Sequence, residues 1–125
     1  MSDDCYCDYD APRWYSAKIR RARTEHRCGE CGCTIRIGER YEDARGMVER
    51  VYRAKTCERC IAVREFVQAH VPCFCWAHFN LIDDCRDTVE EYAHETVGLY
   101  FGTQRRIIRA QRRASADMEL RWRAA

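Results

Sequence analysis

Hydrophobic and polar positions alternate over short distances in the first half of the chain and over longer ones in the second. Thr34 to Ile37, Arg40 to Ala44 and Val48 to Lys55 are brief apolar and β-branched runs broken by Gly38 and Gly46, which predicts short strands in a hairpin arrangement. Arg13 to Arg23 mixes aromatic and basic residues without a helical stripe and predicts an extended segment. Thr56 is placed to cap a helix, and Ile61, Val63, Phe66 and Val67 continue it until Pro72 stops it. Farther on, Trp76 to Val97 sets Phe79, Ile82, Cys85, Val89 and Tyr92 on one side at helical period. Asp83, Asp84, Asp87, Glu90, Glu91 and Glu95 make its other side acidic. Gly98 and Gly102 interrupt that pattern, and a last helix is predicted from about Thr103 to Arg123.

A chain of 125 residues fits one domain with a modest core, small enough to profit from a staple. The expected division is a body over residues 1–98 and an arginine-rich terminal helix over 99–125, both parts of the same domain. Ten cysteines offer the staple, as disulfides or as metal ligands. The first residues, MSDDCYCDYDAP, are acidic where an export signal would be basic and then apolar, and no stretch reaches the length of a membrane span. A cytoplasmic chain with reduced thiols is therefore expected, in which paired cysteines hold metal.

The cysteine spacing locates that metal. Cys28 with Cys31 and Cys57 with Cys60 are two Cys-x-x-Cys pairs bracketing the predicted hairpin, and together they supply the four thiolates of a tetrahedral zinc site. Gly29 and Gly32 suit the tight turn of a zinc knuckle, and the start of a helix carries favourable dipole charge for the thiolates of Cys57 and Cys60. Knuckle, hairpin and helix in that order predict a small α+β, zinc-stabilised, treble-clef-like finger followed by two C-terminal helices. Four thiolates and one zinc sum to a charge of −2, which offsets the formal +2 of the chain; His26, Arg27, Lys55 and Arg59 flank the ligands, as a counter-charge shell or as contacts to a partner. Cys33 reads as a hairpin residue and Cys85 as core.

Cys5 with Cys7 and Cys73 with Cys75 are two Cys-x-Cys pairs. If their loops meet, they close a second zinc site that staples the N-terminal segment to the body; otherwise they are separate cysteines, or Cys73 and Cys75 share a site with His70 or His78. One zinc is expected, and two if the pairs meet. The last helix concentrates Arg105, Arg106, Arg109, Arg112 and Arg113, which pair with the acidic helix or solvate the surface, bind nucleic acid with the basic run Arg13 to Arg27 as a further candidate, or meet a protein partner.

The strings HRCGECGCTIRIGERYE, KTCERC and PCFCWAH, with CYCDYD at the start, resemble small proteins encoded by phages and prophages. Their shared pattern is a His-x-Cys-x-x-Cys knuckle, an Ile-x-x-Gly-Glu turn and a distal Cys-x-x-Cys. The likeness covers roughly residues 1 to 102. It implies a treble-clef or zinc-ribbon module with zinc at Cys28, Cys31, Cys57 and Cys60, adds weight to the Cys-x-Cys pairs, and carries no activity with it.

Catalysis is not expected. Four cysteines leave zinc no open position for water, and a nuclease of the treble-clef kind needs a histidine on the hairpin, where no histidine stands between Cys31 and Cys57. The function expected is a non-enzymatic structural-zinc module, a phage or prophage accessory protein acting in the host cytoplasm through an unidentified protein partner, without a membrane or a small-molecule substrate. The alternative is a zinc finger that binds nucleic acid through its arginine-rich segments.

Overall fold

The computed structural model describes residue 9 and residues 11–124. Strand β4 (Arg40–Met47) lies between β1 (Trp14–Arg21) and β5 (Val51–Cys57) in an antiparallel sheet of order β1-β4-β5. Two short strands, β2 (His26–Arg27) and β3 (Thr34–Ile35), pair with each other around the knuckle that carries the first two cysteines. Helices α1 (Glu58–His70), α2 (Leu81–Tyr92) and α3 (Leu99–Ala124) follow. The result is a small α+β fold with a three-stranded sheet, three helices and a cluster of four cysteines.

Register decides what each face of the sheet does. Directly paired residues share a face, so Tyr15, Gly46 and Tyr52 lie in one row, Ala17, Ala44 and Ala54 in the next, and Ile19, Glu42 and Thr56 in a third. The small residues in the middle row let α1 approach, and Ala44 and Ala54 are sealed from solvent. Glu42 turns into this interface and accepts two hydrogen bonds from Arg64 of α1, at 2.9 and 2.6 Å. Arg64 also lies 4.7 Å from the centre of the Trp76 ring. The opposite face carries Trp14, Ser16, Lys18 and Arg20 of β1, exposed like the rest of that strand.

The core continues between the helices, with Val63 and Val67 of α1, Leu81 and Cys85 of α2, and Leu99 and Ile107 of α3 buried together. Gly102 is buried where α3 crosses Phe66, and a Cβ there would collide with the Phe66 ring. The predicted helix start near Thr103 was therefore too late: Gly98, with φ +83°, turns the chain, and α3 begins at Leu99 and runs through the second glycine. Thr56 does not cap α1; the β4–β5 ladder carries it into β5, and Cys57 occupies the N-cap position without a side-chain cap. The predicted Trp76 to Val97 helix is shorter, because residues 76–80 are irregular and Phe79 takes φ +73°. Asp84 is buried rather than on the acidic outer side. It accepts hydrogen bonds from Tyr9 Oη at 2.8 Å and from Ala77 N–H at 2.9 Å.

Glu42→Ala leaves the Arg64 guanidinium buried without its partner and is expected to cost about 3–5 kcal/mol. The double change Glu42→Leu with Arg64→Met should recover most of that loss, both read from urea unfolding midpoints at neutral pH.

Candidate metal centre

The knuckle between β2 and β3 is built by backbone hydrogen bonds before its side chains are considered. Cys28 N–H donates to Cys33 O at 2.9 Å and Gly32 N–H to Cys28 O at 3.1 Å, closing a tight turn in which Gly32 has φ +80°. Gly29 N–H donates to Lys55 O at 2.8 Å and so joins the knuckle to β5, two residues before Cys57. Phe79 lies so close over Gly29 that a Cβ there would stand 2.8 Å from its ring, so that residue must be small. Cys57 ends β5 and Cys60 lies in the first turn of α1, where unpaired N–H groups and the helix dipole favour negative sulfur.

These elements bring Cys28, Cys31, Cys57 and Cys60 together, with all four sulfurs within 4.8 Å of one another. Cys28 Sγ is 3.9 Å from Cys60 Sγ, and Cys31 Sγ is 3.7 Å from Cys57 Sγ. Among the described residues this is the one group of three or more Cys, His, Asp or Glu side chains close enough to share an ion. Three of the four cysteines are buried and Cys31 is half-buried. Backbone N–H groups of Glu30 and Cys57 point at Cys28 Sγ, each at 3.4 Å, and that of Cys33 at Cys31 Sγ at 3.5 Å. Hydrogen bonds from Cys31, Cys33, Cys57 and Cys60 hold the Cys28 thiol far below its ordinary range, whereas Cys60 is pushed up by its contact with Cys28. The donor set is therefore four sulfurs, already desolvated and already receiving N–H groups, and it fits a thiophilic metal ion held wholly by protein.

The knuckle is clamped from two sides by carboxylates. Glu30, between the first two cysteines, accepts hydrogen bonds from Phe79 N–H at 2.8 Å and Leu81 N–H at 3.1 Å, which fixes the start of α2. Asp117 of α3 accepts Thr34 N–H at 3.0 Å and the guanidinium groups of Arg36 and Arg113, each at 2.8 Å. Arg113 reaches Glu39 at 2.7 Å and Thr34 O at 3.2 Å, and Arg121 reaches Thr34 Oγ1 at 2.8 Å.

The other candidate residues are distributed as follows. Arg113 is part of this clamp, and Arg106 lies over the Phe66 ring, 3.9 Å from its centre, and donates to Gly102 O. Both are thus tied to the body, while Arg105, Arg109 and Arg112 are exposed on α3. The acidic face of α2 forms no ion pair with α3 among the described residues; the α3 arginines pair with Glu39, Asp117 and Glu119. Cys73 and Cys75 lie beyond α1 with their sulfurs 3.8 Å apart, and Cys73 is disulfide-bonded. Cys5 and Cys7 lie outside the described residues. His70 Nδ1 meets Phe66 O at 2.7 Å and His78 Nε2 meets Tyr15 Oη at 2.8 Å, so neither joins a cysteine pair. Cys33 is buried beside the cluster. Lys55 Nζ stands 2.9 Å from His26 Nδ1, and Arg59 approaches Glu39 at 4.0 Å. Pattern reading missed Glu30 and Asp117, because an isolated acidic residue in a turn or helix gives no sign of which backbone it will meet. It also missed a cleft of about 670 Å³ lined by Tyr15, Tyr52, Trp76 and His78, whose residues come from three separate stretches of sequence.

No protein-family model, curated protein or solved structure matches the chain.

Cys57→Ser is expected to abolish tight metal binding and give insoluble or molten protein, since the free energy of a structural metal is of the same order as the ~5–15 kcal/mol stability of a whole domain. Cys33→Ser should retain one metal per chain; metal content by native mass spectrometry checks both. A second expectation concerns acid. Burial alone would raise the Asp117 carboxyl, but the bonds from Arg113, Arg36 and Thr34 N–H hold it below its usual value of 3.8. Its stabilisation is complete above that pH and is lost as pH falls through the lower, folded value. Asp117→Asn should therefore cost about 1.5–3 kcal/mol at pH 7. The gap between the two proteins, followed by chemical unfolding from neutral pH into acid, should hold until that range and then narrow.

Proposed function

We propose that this chain is a non-enzymatic, zinc-stapled binding module that presents the outer face of α3 to a protein partner, as an accessory protein of the phage and prophage kind it resembles. The metal is zinc: four thiolates at the usual Zn–S length of about 2.3 Å, arranged as a tetrahedron, put their sulfurs about 3.8 Å apart. The closest pairs here are at 3.7 and 3.9 Å. A site filled by four protein sulfurs supplies structure rather than a bound water, which supports a binding role. The order of knuckle, β4–β5 hairpin and α1 supports a treble-clef finger.

The observation that carries the partner is the outer side of α3. Phe101, Ile108 and Trp122 recur there at multiples of seven residues, with Met118 beside them, and Phe101 and Trp122 are 71% and 83% exposed. The opposite side of the same helix is locked to the knuckle through Asp117, Arg113 and Arg121. Seven-residue spacing on an exposed helix is the seam along which a second helix packs, and the exposed Arg105 and Arg112 beside it favour a partner helix with acidic flanks. No helix among the described residues is long and apolar enough to cross a membrane, so this apolar stripe does not belong to a spanning helix.

A photo-crosslinking amino acid at Ile108 should give one discrete adduct in the cell of origin, and one at the exposed Glu91 of α2 should give none. Equal labelling at the two positions, or no adduct at Ile108, would remove the partner from α3. A metal other than zinc in the purified chain would overturn the identity of the staple and leave the surface in place.

A further inference from the structure

We infer that the open face of the β1-β4-β5 sheet docks single-stranded nucleic acid, with phosphates on its cations and a base on Trp14. The surface is distinct from α3 and does not depend on the protein-partner reading above. The sheet register defines it. Trp14, Met47 and Val51 form one row; Ser16, Arg45 and Arg53 the next; Lys18, Asp43 and Lys55 the third; and Arg20, Tyr41 and Cys57 the last. Three rows thus hold five cations and one carboxylate.

That carboxylate does not neutralise the face. Asp43 is buried under the cations, with 2% of its side chain exposed, and it takes Arg53 at 2.9 Å and Arg20 at 3.1 Å. Both arginines keep about half of their side chains in solvent, 47% for Arg53 and 50% for Arg20. Asp43 therefore acts as an anchor that aligns two guanidinium groups outward, while Lys18 and Arg45 stand exposed beside them. A strand advances about 7 Å between residues on one face, so Lys18, Arg20, Arg45 and Arg53 are stepped along the exposed part of the face, while Lys55 is half-buried against His26 at 2.9 Å.

On the opposite face α1 buries Glu42, Ala44 and Ala54 while Tyr15 and Ile19 of β1 stay exposed, and the rows from Tyr15 to Ile19 hold no cation. Charge complementarity thus names a polyanion, and the end of the array narrows the class. Trp14 is 44% exposed in the row next to Arg45 and Arg53, with Met47 between it and Val51, which is 64% exposed. An exposed indole at the edge of a cationic sheet offers a base a stacking surface, so phosphate contacts and base stacking are met by one ligand, a nucleic acid. A base can reach a sheet face when it is unstacked from a duplex, which favours the single strand.

The test uses the full metal-loaded chain and a fluorescein-labelled oligothymidine of about 12 nucleotides, a length within the usual site sizes. Anisotropy is followed between about 50 and 200 mM salt. Binding should weaken with salt, and the double change Lys18→Gln with Arg45→Gln should lower the slope of log affinity against log salt by about 1.4, or about 0.7 per cation. Trp14→Ala should weaken binding about 5- to 150-fold, yet leave a strand of abasic sugars nearly unaffected. Arg105→Gln with Arg112→Gln on α3 should leave the affinity within about twofold, since neither residue lies on the sheet. No saturable binding at low salt overturns the inference, as does loss with the α3 pair but not with the sheet pair. Tighter binding to heparin, anionic vesicles or duplex than to the single strand, or indifference to Trp14→Ala, also overturns it. Metal content and melting temperature of each variant, measured alongside, separate a lost surface from a lost fold.

Discussion

Four sulfurs held within 4.8 Å of one another are the constraint on which the other contacts depend. They come from two stretches of chain separated by the whole of β4: a tight turn that carries Cys28 and Cys31, and the junction of β5 with α1 that carries Cys57 and Cys60. The knuckle is a turn of a few residues closed by bonds between Cys28, Gly32 and Cys33. It is joined to β5 by the bond from Gly29 N–H to Lys55 O, and its two sulfurs lie against those of Cys57 and Cys60. Once fixed, it presents Glu30 toward α2 and the backbone of Thr34 toward α3, and both helices take their positions from it. The core between the helices is apolar, but polar bonds to the knuckle set its alignment.

Buried carboxylates recur as the means of that alignment. Glu42 takes the Arg64 guanidinium under the sheet, Asp43 takes Arg20 and Arg53 above it, Asp117 takes Arg36 and Arg113 at the clamp, and Asp84 takes Tyr9 and a backbone N–H. Each is a desolvated charge satisfied by several donors at once, the condition under which a buried ion contributes specificity of arrangement. A fold with a small sheet and a partly polar interior gains from this, since apolar packing alone leaves sliding of helices inexpensive.

The metal cluster was legible because its geometry is local in sequence: the Cys-x-x-Cys interval and the glycines beside it determine a knuckle with little help from the rest of the chain. The first helix was legible through short-range periodicity, and the hairpin in part: Gly46, read as a break, lies inside β4, and Thr34–Ile35 pairs with β2 in a separate sheet instead of with β4. What could not be read was set by distant neighbours. Arg13 to Arg23 was expected to be extended, but its pairing with β4 leaves no apolar signature, since every residue of β1 is exposed. Thr56 has the chemistry of a cap and is drawn into β5 by its partner Glu42. Gly102 reads as a break, yet it is where α3 must be thin to cross Phe66. Arg113 looks like one member of a basic cluster, and it is spoken for by Asp117, Glu39 and Thr34, the last two over seventy positions away. The second pair of Cys-x-Cys motifs was visible as spacing, but spacing between distant pairs says nothing of whether they meet.

The clamp on the knuckle joins Thr34 to residues 83 and 87 positions later in the chain. A growing chain makes the four cysteines long before it makes Asp117 and Arg121, so an ion can be captured while α3 is still inside the ribosome. The captured intermediate would have its staple and its hairpin but an unguarded Thr34 backbone, and it would wait for some sixty residues of synthesis beyond Cys60 before α3 closes over it. The four sulfurs thus belong to segments made early, and the clamp that α3 supplies is made late, so a chain that stops short of Asp117 keeps the residues of its cysteine cluster and lacks their cover.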